Sequence, residues 1–304
     1  MGNSQNKTAE NFHTIQEYLI KMPSLSTTVT KVLSVCNNPN TSANDLNKVV
    51  SLDPVLTGNV LKLINSAYYS LLNQVTSLTQ AIIMLGLNTI KNLALSTAVL
   101  GNIALKKSRQ DNAMDIFWTH CIATGVWSKA LALETGIIRS KCEEYFVAGL
   151  LHDIGKIPLI HCFPAAYMKI VATAIEKGLS LLAAEKTVFG LNHEEIGKLI
   201  AQKWKLEGAI SQAICTHHHL TETDDESLNF VERVAVADML SKITTDGPEE
   251  DSLEDIFVET ILQNSLIKTF LKNHNLSLLT LKTLQEKSQT EIENAKLFMQ
   301  IAKG

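Results

Sequence analysis

The chain of 304 residues is short of chain breakers, with 14 glycines and 6 prolines. Strand-like alternation is also scarce, which argues against a β architecture built on tight turns. Charged residues reach only 19%, while 45% are apolar. That balance excludes a disordered chain. There is no basic excess: 27 Lys and Arg face 31 Asp and Glu, for a net charge of −4. A broad phosphate-gripping surface, and with it nucleic-acid binding, is therefore disfavoured. The five cysteines, Cys36, Cys121, Cys142, Cys162 and Cys215, are odd in number and include no C-x-x-C pair. They fit reduced thiols better than a disulfide framework. No apolar leader opens the chain, and no stretch has the length of a membrane span. Gly2 invites lipidation, but Asn6 stands where the myristoylation motif needs Ser or Thr. No repeat or low-complexity tract is present. These absences lead to the expectation of a soluble cytoplasmic protein.

What is there is helical spacing. Thr41 or Ser42 can cap a helix that carries Leu46, Val49 and Val50 on one face. Asp53-Pro54 opens another, with Val55, Leu56, Val60, Leu63 and Ile64 on its apolar face. Gly86 separates "SLTQAIIML" from "NTIKNLALSTAVL". Ile116, Phe117, His120, Thr124 and Trp127 share a stripe. Ser140 is placed to cap a helix that runs to His152 and ends with Gly155 and Pro158. Asn192 and Glu195 form a capping-box pattern that sets His193 in a first turn. "SQAICTHHHL" ends a further helix at a histidine cluster. Near the C-terminus, Leu281, Leu284, Ile292, Ala295 and Phe298 make a stripe expected to pack. Polar stretches at 106–115 and 244–255 are the candidate boundaries. They suggest an arm (1–21), an N-terminal helical half (22–108), a second helical bundle (109–245) and a C-terminal helical extension (246–304).

Polar residues on the apolar stripes carry the chemistry. Asp238 shares a face with Val231, Val234 and Ala235, and a carboxylate there costs several kcal/mol unless it is paired or binds a cation. His120 lies between Phe117 and Trp127. "GLLHDIGKIP" places His152 and Asp153 at the end of an apolar run. Any one of these alone reads as a core polar group satisfied by a backbone carbonyl or a water. Several on separate helices each need a partner, and a shared metal would serve them all. His120, His152, Asp153, His193, His217, His218 and Asp238 are the candidate ligands. Mixed imidazole and carboxylate donors suit Fe or Mn, with Zn also compatible, better than Ca or Mg. Lys156 either steadies a phosphate near the metal or is an exposed lysine at a helix end. His13, His161, His219 and His274 read as less involved.

The pattern "H…HD…D" of His120, His152-Asp153 and Asp238 resembles the HD superfamily of metal-dependent phosphohydrolases. Upstream, Met22-Pro23, Asp53-Pro54, Asn65-Ser66-Ala67 and "AIIMLGLNTIKNLAL" resemble the HDOD domain, the HD-related output domain of bacterial signalling proteins. The resemblance covers most of the chain. It implies an all-α, HD/HDOD-type multi-helix bundle with an N-terminal helical subdomain. It also implies a role in signal transduction through protein interaction. Many HDOD domains have lost the metal ligands, whereas this sequence keeps those positions. It lacks the Gly-Tyr-Pro that follows the histidine pair in cyclic-di-GMP-cleaving relatives, reading "HLTETDDESLNF" instead.

Two functions follow. In one, the chain is a regulatory module that binds a signalling partner and retains a metal. An acidic loop at 223–230 then disfavours a phosphorylated substrate. In the other, it is a phosphohydrolase acting on a phosphoester or nucleotide. His120, His152, Asp153 and Asp238 would then hold one ion, and His193, His217 and His218 a second. Asp153 would bridge the ions, and Lys156 would assist catalysis. One or two ions are expected.

Overall fold

The computed structural model describes residues 2–38, 40–104, 111–245, 258–259 and 261–303. Among them are sixteen α-helices, one short 3-10 turn and no strand. The helix starts follow side-chain chemistry. After α1 (Gly2–Lys21), Ser26 accepts from the amide of Val29 to open α2 (Thr27–Cys36). Ser42 caps α3 (Ala43–Val50) in a reciprocal box with Asp45, while the Thr41 hydroxyl donates to the Val35 carbonyl. Asp53 caps α4 (Pro54–Ile64), whose first turn holds Pro54. Each such cap is worth about 1 kcal/mol. Leu56, Val60, Leu63 and Ile64 are buried, but Val55 is 73% exposed. It lies about 100° around the helix from Leu56, off the buried stripe.

Helices α5 (Leu78–Leu85) and α6 (Leu87–Ala104) meet at Gly86 with a bend of 118°. Gly86 has φ +86°, a conformation that side chains resist. No helix among the described residues is long and apolar enough to cross a membrane.

Helix α7 (Asp111–Glu134) is the central rod, flanked by α8 (Arg139–Leu151) and α14 (Leu228–Thr245). The first contact is very close: a Cβ on Gly149 would lie 2.7 Å from the Gly125 backbone. Ile116 is 53% exposed at the edge of the α7 stripe, whereas Phe117, Thr124 and Trp127 are buried. Helix α8 starts one residue before Ser140. Ile138 is its cap and supplies no side-chain bond, so Ser140 is inside the helix. Pro158 does not end α8 either. A turn at 152–155 does, and Pro158 is the third residue of α9 (Lys156–Cys162), where no intrahelical N–H bond is lost.

Helices α10 (Pro164–Lys177), α11 (Leu181–Phe189), α12 (His193–Trp204) and α13 (Gly208–Thr216) complete this side. One hydrophobic core runs from Ile15 on α1 through α2–α8 and α12–α14. A second joins Trp127, Leu131 and Leu240 to α15 (Ser265–Asn273) and the start of α16 (Leu278–Lys303). All five stripe residues of α16 are buried, and Phe298 packs 5.0 Å from Phe146. The segment after α4 is pinned by Tyr69, which donates to buried Glu143 (3.0 Å), and by Lys129, which donates to the Tyr68 hydroxyl (3.1 Å) and to the same carboxylate (2.5 Å). Of the two candidate boundaries, residues 106–110 and 246–255 lie outside the described residues, and Asp111 already belongs to α7.

Candidate metal centre

Six helices deliver the polar residues. His120 is on the inner face of α7, and Asp238 on α14 lies beside buried Val231, Val234 and Ala235. His152 is the C-cap of α8, Asp153 follows in the turn, and Lys156 begins α9. His193 is the first residue of α12, directly after the Asn192–Glu195 capping box. His217 is the C-cap of α13, and His218 comes next. In the 152–155 turn, the amide of Ile154 donates to Leu151 O (3.0 Å) and that of Lys156 to Asp153 O (2.8 Å).

Gly155 has an ordinary helical backbone (φ −67°), so it does not serve by adopting an unusual conformation. It serves by being small. A Cβ there would lie 1.9 Å from His193 O and 2.6 Å from Gly197 N. Backbone cannot yield as a side-chain tip can, so Gly155→Ala should push α12 away from the turn. The expected cost is roughly 3 kcal/mol, read as a lower urea midpoint, with loss of bound metal.

The structure brings all seven candidate ligands together in two groups that share Asp153. Each group keeps its donor atoms within 4.8 Å of one another. Asp153 Oδ2 faces His152 Nε2 (3.2 Å) and His120 Nε2 (3.4 Å), and Asp238 Oδ1 lies 3.1 Å from His120 Nε2. Asp153 Oδ1 turns the other way, toward His193 Nε2 (3.3 Å) and His217 Nε2 (3.5 Å). His218 completes that second group. The Nε2 atoms of His120, His152, His193 and His217, with Asp153 Oδ1 and Asp238 Oδ1, are buried and make no hydrogen bond among the described residues. Six orphaned polar atoms in one place cost several kcal/mol unless a cation joins them. These residues fit one or two ions.

The outer contacts fix which nitrogen points inward. His152 Nδ1 donates to Gly149 O (2.7 Å) and His217 Nδ1 to Ala213 O (2.9 Å). His193 Nδ1 donates to the buried carboxylate of Glu185 (2.7 Å), which also takes the His193 amide and the Tyr167 hydroxyl. His120 Nδ1 lies 3.2 Å from Ser241 Oγ, whose own proton goes to Asp238 O. In all four, Nδ1 is engaged and the Nε2 lone pair is left for the centre, the usual arrangement of metal-binding histidines. Lys156 and Lys242 pair with Asp153 Oδ2 and Asp238 Oδ2.

Burial pushes the Asp153 carboxyl up, but His152 and Lys156 outweigh it and hold the group well below the usual range. Asp238 is likewise held low against burial, by Lys242 first. Burial lowers His217 and His218, so both are neutral donors at neutral pH. Burial also pushes His152 down, yet Asp153 and Asp238 outweigh it and raise the ring to about 9. Without a cation, then, His152 carries a proton below about pH 9, and a metal must displace it. Affinity for added Mn should therefore rise with pH, up to tenfold per unit between about 7 and 9. Calorimetry in buffers of different protonation enthalpy should count close to one proton released per chain at pH 7.

Sequence reasoning missed the supporting groups. Glu185 on α11 is fully buried. Glu194 is buried too and accepts from the His218 amide (2.8 Å) and from His219 Nδ1 (2.6 Å). The remaining histidines lie outside both groups. His13 is exposed beside Glu17, and His161 packs on Tyr18. His274 is half-buried against Phe270, more enclosed than a surface residue. In the acidic loop, Asp224 accepts from the Ser227 amide, Asp225 and Glu226 are exposed, and none belongs to either group.

Comparison with known proteins gives this geometry a family. A protein of Treponema pallidum (strain Nichols) is 25% identical over 235 residues, 77% of this chain and 45% of that protein. The chain thus spans less than half the length of this curated relative. Among solved structures, an HDOD domain protein of Geobacter sulfurreducens superposes with a TM-score of 0.70 at 23% identity, covering 95% of this chain and 98% of its own. A Shewanella amazonensis protein, named as a candidate phosphohydrolase, gives 0.68 at 24%, over 94% and 98%. A Marinobacter aquaeolei protein, named as a candidate signal-transduction protein, gives 0.66 at 19%, over 98% and 65%. These likenesses establish the helical fold. The HDOD domain model matches residues 22–220, about two thirds of the chain, and the chain belongs to the HDOD domain family.

Proposed function

We propose that this chain is a signal-transduction module that holds a two-ion metal centre and acts mainly through a protein partner. One observation carries the metal half of this reading. The two oxygens of Asp153 face two separate sets of buried, unbonded imidazole nitrogens. The donor set favours Fe or Mn, with Zn compatible. Family membership and the candidate name of the Marinobacter structure support the signalling half. Elemental analysis of protein purified without added metal tests the centre directly. One to two equivalents of Fe, Mn or Zn per chain are expected, and a metal-free preparation that takes up none would sink it.

A second reading, a metal-dependent phosphohydrolase, is favoured by what surrounds the ligands. His218 is exposed on one side of the centre, and the Lys156 side chain is 12% exposed. When bound, the ions would polarise a phosphoryl oxygen and lower the pKa of water. Lys156 is raised against burial by Asp153 and stays cationic at neutral pH. Two of its three N–H donors remain after the Asp153 contact and can take oxygens of a phosphoester or nucleotide. Gly149 O, Ala213 O, Glu185 and Ser241 hold the imidazoles in place through Nδ1. Metal-loaded protein assayed on a broad phosphoester panel decides between the readings. Turnover that Lys156→Met abolishes without loss of metal supports the hydrolase, and no turnover leaves the signalling module.

A further inference from the structure

The first backbone amide of a helix has no partner within the helix. At the start of α12 that amide belongs to His193, and Glu185 from α11 takes it (2.9 Å). The same carboxylate oxygen takes Nδ1 of the His193 ring (2.7 Å), so one atom clamps both the backbone and the imidazole of one residue. The other oxygen accepts from the hydroxyl of Tyr167 on α10 (3.0 Å). Both Glu185 and Tyr167 are buried. A carboxylate that accepts three such bonds is held in its charged form.

Glu185 belongs to neither ligand group. Of the four imidazoles whose Nδ1 is engaged, those of His120, His152 and His217 meet uncharged oxygens. Glu194 stands 3.7 Å from His217 Nδ1, beyond a hydrogen bond. His193 alone has a carboxylate in reach. The two groups also differ in the charge they offer an ion. Asp153 and Asp238 both serve the first, whereas the second has three imidazoles and only a share of Asp153. Lys156 already neutralises part of that shared charge. Glu185 adds a negative charge one imidazole further back, and a carboxylate on Nδ1 makes Nε2 a stronger donor.

We infer that Glu185 is a positioning residue for the second ion: its charge and its double grip on His193 let the His193, His217 and His218 group retain a cation. The inference rests on the two-ion reading above and adds a division of labour to it. The first ion depends on carboxylates within its own ligand group. The second depends on one that lies outside.

Equilibrium dialysis of the full chain against Mn(II), followed by elemental analysis, tests this. The parent chain should take up two ions. Glu185→Gln removes the charge at nearly constant shape. Its carbonyl oxygen can still accept from the His193 amide and ring, and its NH2 group can donate to the Tyr167 oxygen. It should keep the first ion at parental affinity and bind the second about 10- to 100-fold more weakly. The paramagnetic resonance of bound Mn(II) should change from that of a coupled pair to the six lines of an isolated ion. A purely structural role would lower stability and leave both ions in place. Tyr167→Phe loses a hydrogen bond at the same spot but keeps the charge, and it should retain both ions. Two ions held by Glu185→Gln at parental affinity, or loss of the second ion from Tyr167→Phe, would each overturn the inference. The Tyr167→Phe result stands even if Glu185→Gln fails to fold. A parent chain that takes up one ion or none would defeat the two-ion reading and this inference together, so the two failures are told apart.

Discussion

Asp153→Ala protein is expected to leave purification with no bound transition metal, against the one to two equivalents expected of the parent chain. Asp153 is the one residue that belongs to both ligand groups, and each of its oxygens faces a different set of imidazoles. Removing a buried charge that others depend on costs about 3–5 kcal/mol. At about 1.4 kcal/mol per decade, that is a loss of affinity of about 10²-fold to several thousandfold. Any phosphoester hydrolysis should disappear with it. The variant should also be less stable without metal, since buried Lys156 loses its carboxylate partner. Asp153→Asn keeps the side-chain volume and separates the two effects. It should fold more stably than the alanine variant yet bind no more metal. Normal metal content in either variant would mean that Asp153 does not join the two groups.

The second large effect is on melting. An ion that binds only the folded chain stabilises it by about 4 kcal/mol when present at a thousandfold excess over its dissociation constant. For a chain of this size, stripping one ion should lower the melting temperature by roughly 10 °C. Calorimetric scans before and after chelation measure this directly, and re-addition of Mn should restore the higher value. The carboxylates shift the same way with acid. Asp153 and Asp238 are held below their ordinary range in the folded chain. Their contribution is therefore complete above the ordinary carboxylate range, begins to fall within it, and is fully lost only as pH drops through their lower folded values. A chelator-insensitive melting curve at pH 7 would mean that the six unbonded atoms are satisfied without an ion.

Much of this centre was legible in the chain before folding, and for one reason. His120 and Asp238 sit on stripes of apolar residues, where a polar side chain is anomalous, so they stand out. Glu185 gave no such signal. In "LLAAEKTVF" it reads as an ordinary surface acid on an amphipathic helix, and only the fold of α11 against α12 brings it to His193 Nδ1. Ser241 and Lys242 are hidden in the same way, one turn beyond Asp238. Helix faces were legible to within about one residue, since neighbours differ by 100°. That is why Val55 and Ile116 fall outside the buried stripes. Gly155 was visible as a turn glycine, but its true constraint, the backbone of α12 pressed against it, involves a segment nearly forty residues away.

His152 and His217 both stand at the carboxyl ends of their helices, α8 and α13. Each such end carries roughly half a negative charge, and these two add to the carboxylates of Asp153 and Asp238. Both helix ends therefore favour an added cation, alongside Lys156 and Lys242, which already pair with those carboxylates.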